Sequence, residues 1–162
     1  MNITEEKQAL TITEQQAITA ALIRMIKESP VFQGAQVQAD DVVKPGNIGV
    51  FSQGGSVYLR KFLSGSFFAK HTFFLIYRTK PSTDTQKING SERLDALAQW
   101  LEGRAVTYNG RTYQLANYPP LTDDRRLDSI ERASSVYPTT PEQDGTINYR
   151  INMQLTYLKQ QS

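Results

Sequence analysis

The sequence predicts an α+β domain: a mainly antiparallel β-sheet with a long N-terminal helix and a mid-chain helix packed on one face. Three observations predict it, namely a closing segment with two-residue alternation, a long hairpin in mid-chain, and two amphipathic helices. With 162 residues and 39% hydrophobic content, the chain is long enough for one well-packed core. We therefore expect a single domain over residues 1–162, in which residues 1–12 form an N-terminal extension.

The closing segment is the clearest strand signal. From Ile147 to Tyr157 every odd position is apolar or aromatic and every even position is polar. Successive side chains of a strand point to opposite faces, so the odd positions should be buried. At roughly 1.5–3 kcal/mol per fully buried large side chain, these six residues would hold the strand against the domain although it lies at the chain end.

The first helix is predicted from Thr13 to Glu28. Thr13 is its expected N-cap, and Gln16 stands at capping-box spacing. Its apolar positions recur at three- and four-residue intervals and predict one buried stripe: Ala17, Ile18, Ala21, Leu22, Met25 and Ile26.

A second helix is predicted to begin at Asn89-Gly90-Ser91-Glu92, again at capping-box spacing, and to end at Gly103. The preceding residues 80–87 contain no apolar side chain and favour an exposed connection. The predicted buried face of this helix is Leu94, Leu97, Ala98 and Leu101.

The long hairpin is predicted over residues 57–79, with Ser64-Gly65-Ser66 as its turn. Its second arm is apolar on both faces from Phe73 onward, which favours a central strand covered on two sides. The segment from Ser52 to Ser56 contains two glycines and predicts a loop or bulge before the hairpin.

The hairpin tip combines apolar and basic residues, and we predict that it projects from the domain. An exposed apolar patch is a liability in a monomer and an interface in a ring. The alternative is that the tip folds back on the first helix. The predicted interface residues here are Arg60, Lys61, Phe62, Leu63, Phe67, Phe68 and Lys70.

Three further segments complete the prediction. Asn109-Gly110 predicts a type I′ turn inside a hairpin from Val106 to Leu115. Residues 127–137 favour a strand, although their pattern also fits a short helix. Residues 138–146 predict a flexible loop.

A charged block precedes that strand: Asp123, Asp124, Arg125 and Arg126. It suits charge pairing across a subunit boundary, where complementary signs fix register. A solvated loop is the simpler alternative, and acid or metal chemistry at the aspartates is a further one.

Composition argues against most catalytic classes. There is no cysteine, so a thiolate site cannot exist. His71 is the only histidine, no serine lies in a G-x-S-x-G elbow, and no sequence signal links His71 to an acidic residue, so no familiar triad is predicted. We predict no enzyme activity, no metal and no cofactor; the alternative is a small ligand-binding or weakly hydrolytic module centred on His71. The sequence contains no stretch of roughly 18 uninterrupted apolar residues, so we predict no membrane span, and the segment after Met1 does not predict a secretory leader.

Three segments of the chain resemble a known protein family. The phenylalanine-rich arm from Phe73 to Arg78, the helix from Leu94 to Leu101, and the closing run from Asp144 to Tyr157 are similar to the tail terminator proteins of long-tailed phages, also described as minor capsid or tail completion proteins. The similarity covers roughly residues 13–158.

The resemblance implies a homo-oligomeric ring, expected to be hexameric, on the head-proximal end of the tail tube. Such a ring would stop tube growth and provide the docking surface for a head completion or stopper protein. DNA would pass through the central hole without specific binding, and the net charge of +2 is compatible with that. The implied location is the virion, after assembly in the host cytoplasm; another phage neck or tail tube subunit is the alternative.

Overall fold

The structure is a computed structural model that describes the backbone of residues 6–8, 12–121 and 124–160, and the side chains of residues 15–53, 62–121 and 124–160. Its elements, in chain order, are β1 Glu6–Gln8, α1 Ile12–Glu28, β2 Val37–Ala39, β3 Ile48–Lys61, β4 Phe67–Thr79, α2 Asp84–Leu101, β5 Val106–Tyr108, β6 Arg111–Tyr113, β7 Arg125–Arg132, β8 Tyr137–Pro138 and β9 Ile147–Lys159.

Within these described residues, one seven-stranded sheet has the order β1-β3-β4-β9-β7, with β2 added to β3 and β8 added to β9. All its pairings are antiparallel except β2 with β3. The strands β4 and β9 pair along their whole length, from Phe67 opposite Lys159 to Thr79 opposite Ile147. The predicted α+β class with a mainly antiparallel sheet is confirmed.

The core lies between the sheet and the two helices. Alternate residues of β4 and β9 are buried, and those of β9 are the odd positions that the sequence predicted. The buried stripes of α1 and α2 join the same core, and the predicted leucines of α2 are all buried. Both helices therefore contribute to one core, on one face of the sheet, and the burial prediction for β9 is confirmed.

The helix α1 begins at Ile12, so Thr13 lies inside the helix and the prediction that it is the N-cap is wrong. The apolar stripe is confirmed, except that Ala17 is only half-buried. Its buried edge also carries Thr19, whose hydroxyl lies 3.1 Å from the Ser52 hydroxyl of β3. This bond ties the helix to the sheet.

The helix α2 begins at Asp84, so its predicted start at Asn89 is wrong. Thr83 is the N-cap, and its hydroxyl accepts a hydrogen bond from the Gln86 N–H. Gly90 therefore lies in the interior of the helix. A larger residue would not fit there, because a Cβ at this position would meet the Tyr149 ring at 2.9 Å. The glycine permits close packing on β9, and the helix ends as predicted near Gly103, whose φ is +81°.

The hairpin is longer than predicted because β3 continues through the glycine segment as one strand. The register shifts between Ser52 and Ser56, so the bulge alternative is confirmed and the loop alternative is wrong. Strand β4 has the predicted bounds and is central. It is not covered on two sides, however: its even positions are half-buried, and both helices pack on the other face.

The remaining segments largely follow the sequence. Asn109 and Gly110 both have positive φ, as a type I′ turn requires. The strand predicted over residues 127–137 is β7, but it spans Arg125–Arg132, and Tyr137 belongs to the separate short strand β8, so both predicted ends are wrong. The loop before β9 is joined to β4 by an ion pair of 2.9 Å between Arg78 and Glu142.

Candidate assembly surfaces

The strand ends of the hairpin do not project from the sheet as predicted, and only the turn at residues 62–66 lies beyond the paired strands. Phe67 is only 7% exposed because its neighbour across the ladder, Lys159 of β9, extends the sheet to the end of the hairpin. The Lys159 ammonium also lies 5.7 Å from the centre of the Phe67 ring. Phe67 is therefore a core residue of its own chain, and its assignment to an exposed interface is wrong.

One apolar side chain of the tip remains exposed. Leu63 has 80% of its surface in contact with solvent, and it sits in a turn closed by hydrogen bonds between Phe62 and Ser66 and between Gly65 and Phe62. The Phe62 and Phe68 rings are half-buried and meet edge to face at 6.1 Å. The tip is thus a single leucine on an aromatic base.

Of the three basic residues of the tip, the structure describes the side chain of Lys70 and only the backbone of Arg60 and Lys61. Lys70 is half-buried on the face of the sheet opposite the helices. Arg60 and Lys61 pair through their backbone with Phe68 and Phe67, and their side chains lie outside the described residues. The basic rim stays a prediction.

The charged block of residues 123–126 lies across the start of β7, which begins at Arg125. Asp124 and Arg125 form an ion pair of 3.2 Å, and Arg125 is half-buried. Arg126 points to the other face and is exposed, because strand neighbours alternate. Asp123 lies outside the described residues, so a subunit contact through this block stays a prediction.

The face of the sheet opposite the helices, which we call the open face, carries a row of stacked side chains. The Phe51 and Phe74 rings are parallel with centres 4.9 Å apart, and the Arg150 guanidinium lies 3.7 Å from the Phe74 ring centre. The row runs across β3, β4 and β9, which are adjacent in the sheet. These side chains pack against one another on a face that neither helix covers.

A hollow between α1 and β2, which we call the α1–β2 groove, was not predicted from the sequence. It has a volume of about 290 Å³. Ala20, Ile23 and Ala39 supply apolar lining, and the remaining lining residues are Gln15, Gln16, Thr19 and Asp40. No local sequence motif predicts this groove, because the pairing of β2 with β3 is what places β2 beside α1.

His71 is 0% exposed, in the row of β4 residues that faces the helices. The interpretation of this histidine as a packed strand residue is confirmed. A substrate in solution has no surface of the imidazole to contact, which weakens the alternative of a hydrolytic module.

Two arginines near α2 have roles that the sequence did not indicate. Arg93 donates to the Val31 carbonyl at 2.9 Å and lies over the Phe32 ring at 4.2 Å. Arg132 of β7 pairs with Asp95 at 2.6 Å and with Glu102 at 3.0 Å. Burial lowers the pKa of Arg132, but its hydrogen bonds to these carboxylates outweigh burial and raise the pKa above its ordinary value.

Tyr118 joins the loop after β6 to α2. Its hydroxyl donates to the Leu101 carbonyl at 2.8 Å and interacts with the backbone of Ile130 in β7. Burial raises the pKa of this phenol, because the charged form would lose its hydration. The tyrosine therefore closes the end of α2 against the edge of the sheet.

The described part of the chain offers neither a metal cluster nor a membrane span. No three acidic or histidine side chains among residues 6–8, 12–121 and 124–160 come together as ligands. Neither α1 nor α2 has the length and apolar content that a bilayer crossing requires.

No family model and no curated protein matches this sequence. Among solved structures, the chain is similar to a chain from the virion of a native gene transfer agent (GTA) particle, with a TM-score of 0.56 and 14% sequence identity. The match covers 91% of this chain and 99% of that chain. At this level of identity the likeness establishes a shared fold, and it spans nearly the whole of both chains.

Proposed function

We propose that this protein is a structural subunit of a phage-like virion, and specifically a tail terminator. In this role it forms a ring, expected to be hexameric, on the head-proximal end of the tail tube. The ring stops tube polymerisation and presents a docking surface to the head completion or stopper protein. DNA passes through the central hole without specific binding.

The observation that carries the proposal is the extent of the structural likeness. The similar chain is part of a virion, and the match takes in 99% of that chain and 91% of this one. A shared fold alone does not establish a shared role. The resemblance of the Phe73–Arg78 arm and the closing strand to tail terminators supplies the finer part of the proposal.

The surface chemistry supports an assembly role over a catalytic one. The only histidine is buried, and the described carboxylates Asp95, Glu102 and Glu142 are held in ion pairs with arginines. By contrast, Leu63 is an exposed apolar residue at the end of the longest hairpin. Exposed apolar surface of this kind is more often a contact than a catalytic feature.

The proposal is tested by assembly of the purified protein, alone over a wide concentration range and with tail tubes added. Sedimentation and negative-stain electron microscopy should give closed rings, and added tubes should carry a ring at one end. A protein that stays monomeric at every concentration and ignores tail tubes would contradict the proposal.

The same experiment separates the nearest rival. A tail tube subunit would stack into open tubes of growing length, whereas a terminator should stop at a ring. Open tubes would therefore replace the terminator role by a tube role and keep the virion assignment.

A further inference from the structure

We propose that Leu63 at the hairpin tip of one copy inserts into the α1–β2 groove of the next copy, so that each subunit gives a tip and receives one. The inference rests on the proposed ring. It names the contact that builds that ring, with a second copy of this chain as the occupant.

The tip presents an exposed leucine on a hydrogen-bonded turn, which suits insertion into a groove. Leu63 is the most exposed large apolar side chain among the described residues, at 80%, followed by Ile88 at 56% and Val43 at 54%. The turn is held by backbone hydrogen bonds of 2.8 and 2.9 Å, and Phe62 and Phe68 pack beneath it. A leucine presented on a rigid base loses little conformational freedom on binding.

The groove has the form of a receiving site. Its volume of about 290 Å³ is at or below the lower end of small-molecule pockets, roughly 300–1,000 Å³, so it suits a side chain better than a cofactor. Ala20 and Ala39 are exposed at its mouth, and Ile23 is half-buried within it. A leucine entering it would remove apolar surface of both copies from water.

Tip and groove cannot meet within one chain. The N–H of Asp40, a groove residue, donates to the Val50 carbonyl, which fixes the groove beside that part of β3. The tip follows Lys61, and because β3 contains register shifts, the β4 partner of Val50, Leu75, lies only eight residues from the β4 partner of Lys61, Phe67. At about 3.3 Å per residue the separation along the sheet is on the order of 26 Å. The contact must therefore join different copies through two different patches, which is the geometry that closes a ring.

Charge complementarity favours the same pairing. Asp40 lines the groove, and it and its neighbour Asp41 are both exposed. Basic residues stand close to the tip in the sequence: Lys61 directly precedes the turn, and Lys70, half-buried on the open face, follows Phe67 by three residues. Opposite charges around an apolar centre orient two surfaces and discourage the reverse docking.

The test exploits the absence of cysteine from the chain. Two full-length variants, Leu63→Cys and Ala20→Cys, are purified separately and then mixed, and the mixture is treated with oxidant or a short bis-maleimide. Both positions are exposed, so neither change disturbs the core. The matched control replaces Leu63→Cys by Ile88→Cys, which puts a thiol at another exposed apolar position, on α2.

The mixture should give a covalent dimer, and each variant alone and the Ile88→Cys control mixture should give only background. The double variant Leu63→Cys/Ala20→Cys should shift from monomer to a ladder of covalent oligomers that ends at the closed ring. If the wild-type chain forms rings but the mixture stays at background, this contact is wrong and the ring proposal stands. If the wild-type chain forms no ring and no cross-link appears, both are overturned.

Discussion

The two faces of the central sheet contrast within a single strand. Phe73 and Phe74 are neighbours in β4, yet Phe73 is fully buried against the helices while Phe74 is half-exposed on the open face. Phe73 belongs to the large core, whereas Phe74 stacks between Phe51 and Arg150. The covered face therefore contributes most of the buried apolar packing, whereas the open face is held by a stacked row of half-exposed side chains.

The largest expected effect comes from breaking this contrast directly. Phe73→Ala should lower the free energy of unfolding by about 3–5 kcal/mol, because it leaves a cavity in the core. Phe74→Ala should cost clearly less, about 1–2 kcal/mol, since it removes a ring stack and a cation–π contact but little core packing. Urea unfolding of both variants measures the difference, and equal losses would show that the open face is buried after all.

A smaller loss is expected on the covered side at Tyr118. Tyr118→Phe should cost about 1–3 kcal/mol at neutral pH, because the Leu101 carbonyl loses its partner in a partly buried site. Chemical unfolding at pH 7 measures this loss. A neutral effect would mean that water replaces the phenol freely.

The Tyr118→Phe variant should also change how stability depends on pH. Burial raises the folded pKa of Tyr118, and also that of Tyr149, above the value of about 10 that an unfolded chain has. The contribution of these phenols is therefore fully present below pH 10 and is lost as the pH rises through the folded pKa. The unfolding free energy of the wild type should fall above about pH 10, and more gently in Tyr118→Phe; parallel pH profiles would contradict this.

Gly90→Ala tests how tightly α2 packs on the covered face. Alanine favours a helix by about 1 kcal/mol over glycine, but its methyl group would meet the Tyr149 ring, and overpacking costs about 1–3 kcal/mol. We expect a net loss of about 1 kcal/mol in thermal or chemical unfolding. Ser91→Ala, at the next helix position, should change stability by less than about 0.5 kcal/mol; a stabilising Gly90→Ala would show that Tyr149 moves aside freely.

The smallest effect is expected on the open face. Arg150→Met should cost no more than about 1 kcal/mol, because its cation–π contact with Phe74 is partly solvated. Arg126→Met, an exposed arginine on the same face, is the control and should be close to neutral. A loss as large as that of Phe73→Ala would mean that the open face carries a second core.

The sequence predicted the features that depend on local pattern. Strand β9, the buried face of α2 and the Asn109-Gly110 turn follow from periodicity and turn chemistry, and the structure has them. The start of α2 was misplaced because Asn89-Gly90 imitates a cap. Its glycine is required instead by Tyr149, a residue distant in sequence.

The candidate site was predictable only in part for the same reason. The tip composition predicted an exposed apolar patch, but the burial of Phe67 depends on Lys159, which lies at the far end of the chain. Among the predicted tip residues whose side chains the structure describes, Leu63 alone is exposed. The α1–β2 groove exists through the parallel pairing of β2 with β3, and no local signal encodes that pairing.

Assembly through the hairpin tip is tested most directly by sedimentation of the wild type, of Leu63→Asp and of the matched control Ile88→Asp. Both substitutions place a carboxylate at an exposed apolar position, so all three proteins should have the same circular dichroism spectrum. The wild type and Ile88→Asp should form rings, and Leu63→Asp should sediment as a monomer. Rings formed equally well by Leu63→Asp would contradict the claim that the hairpin tip builds the assembly.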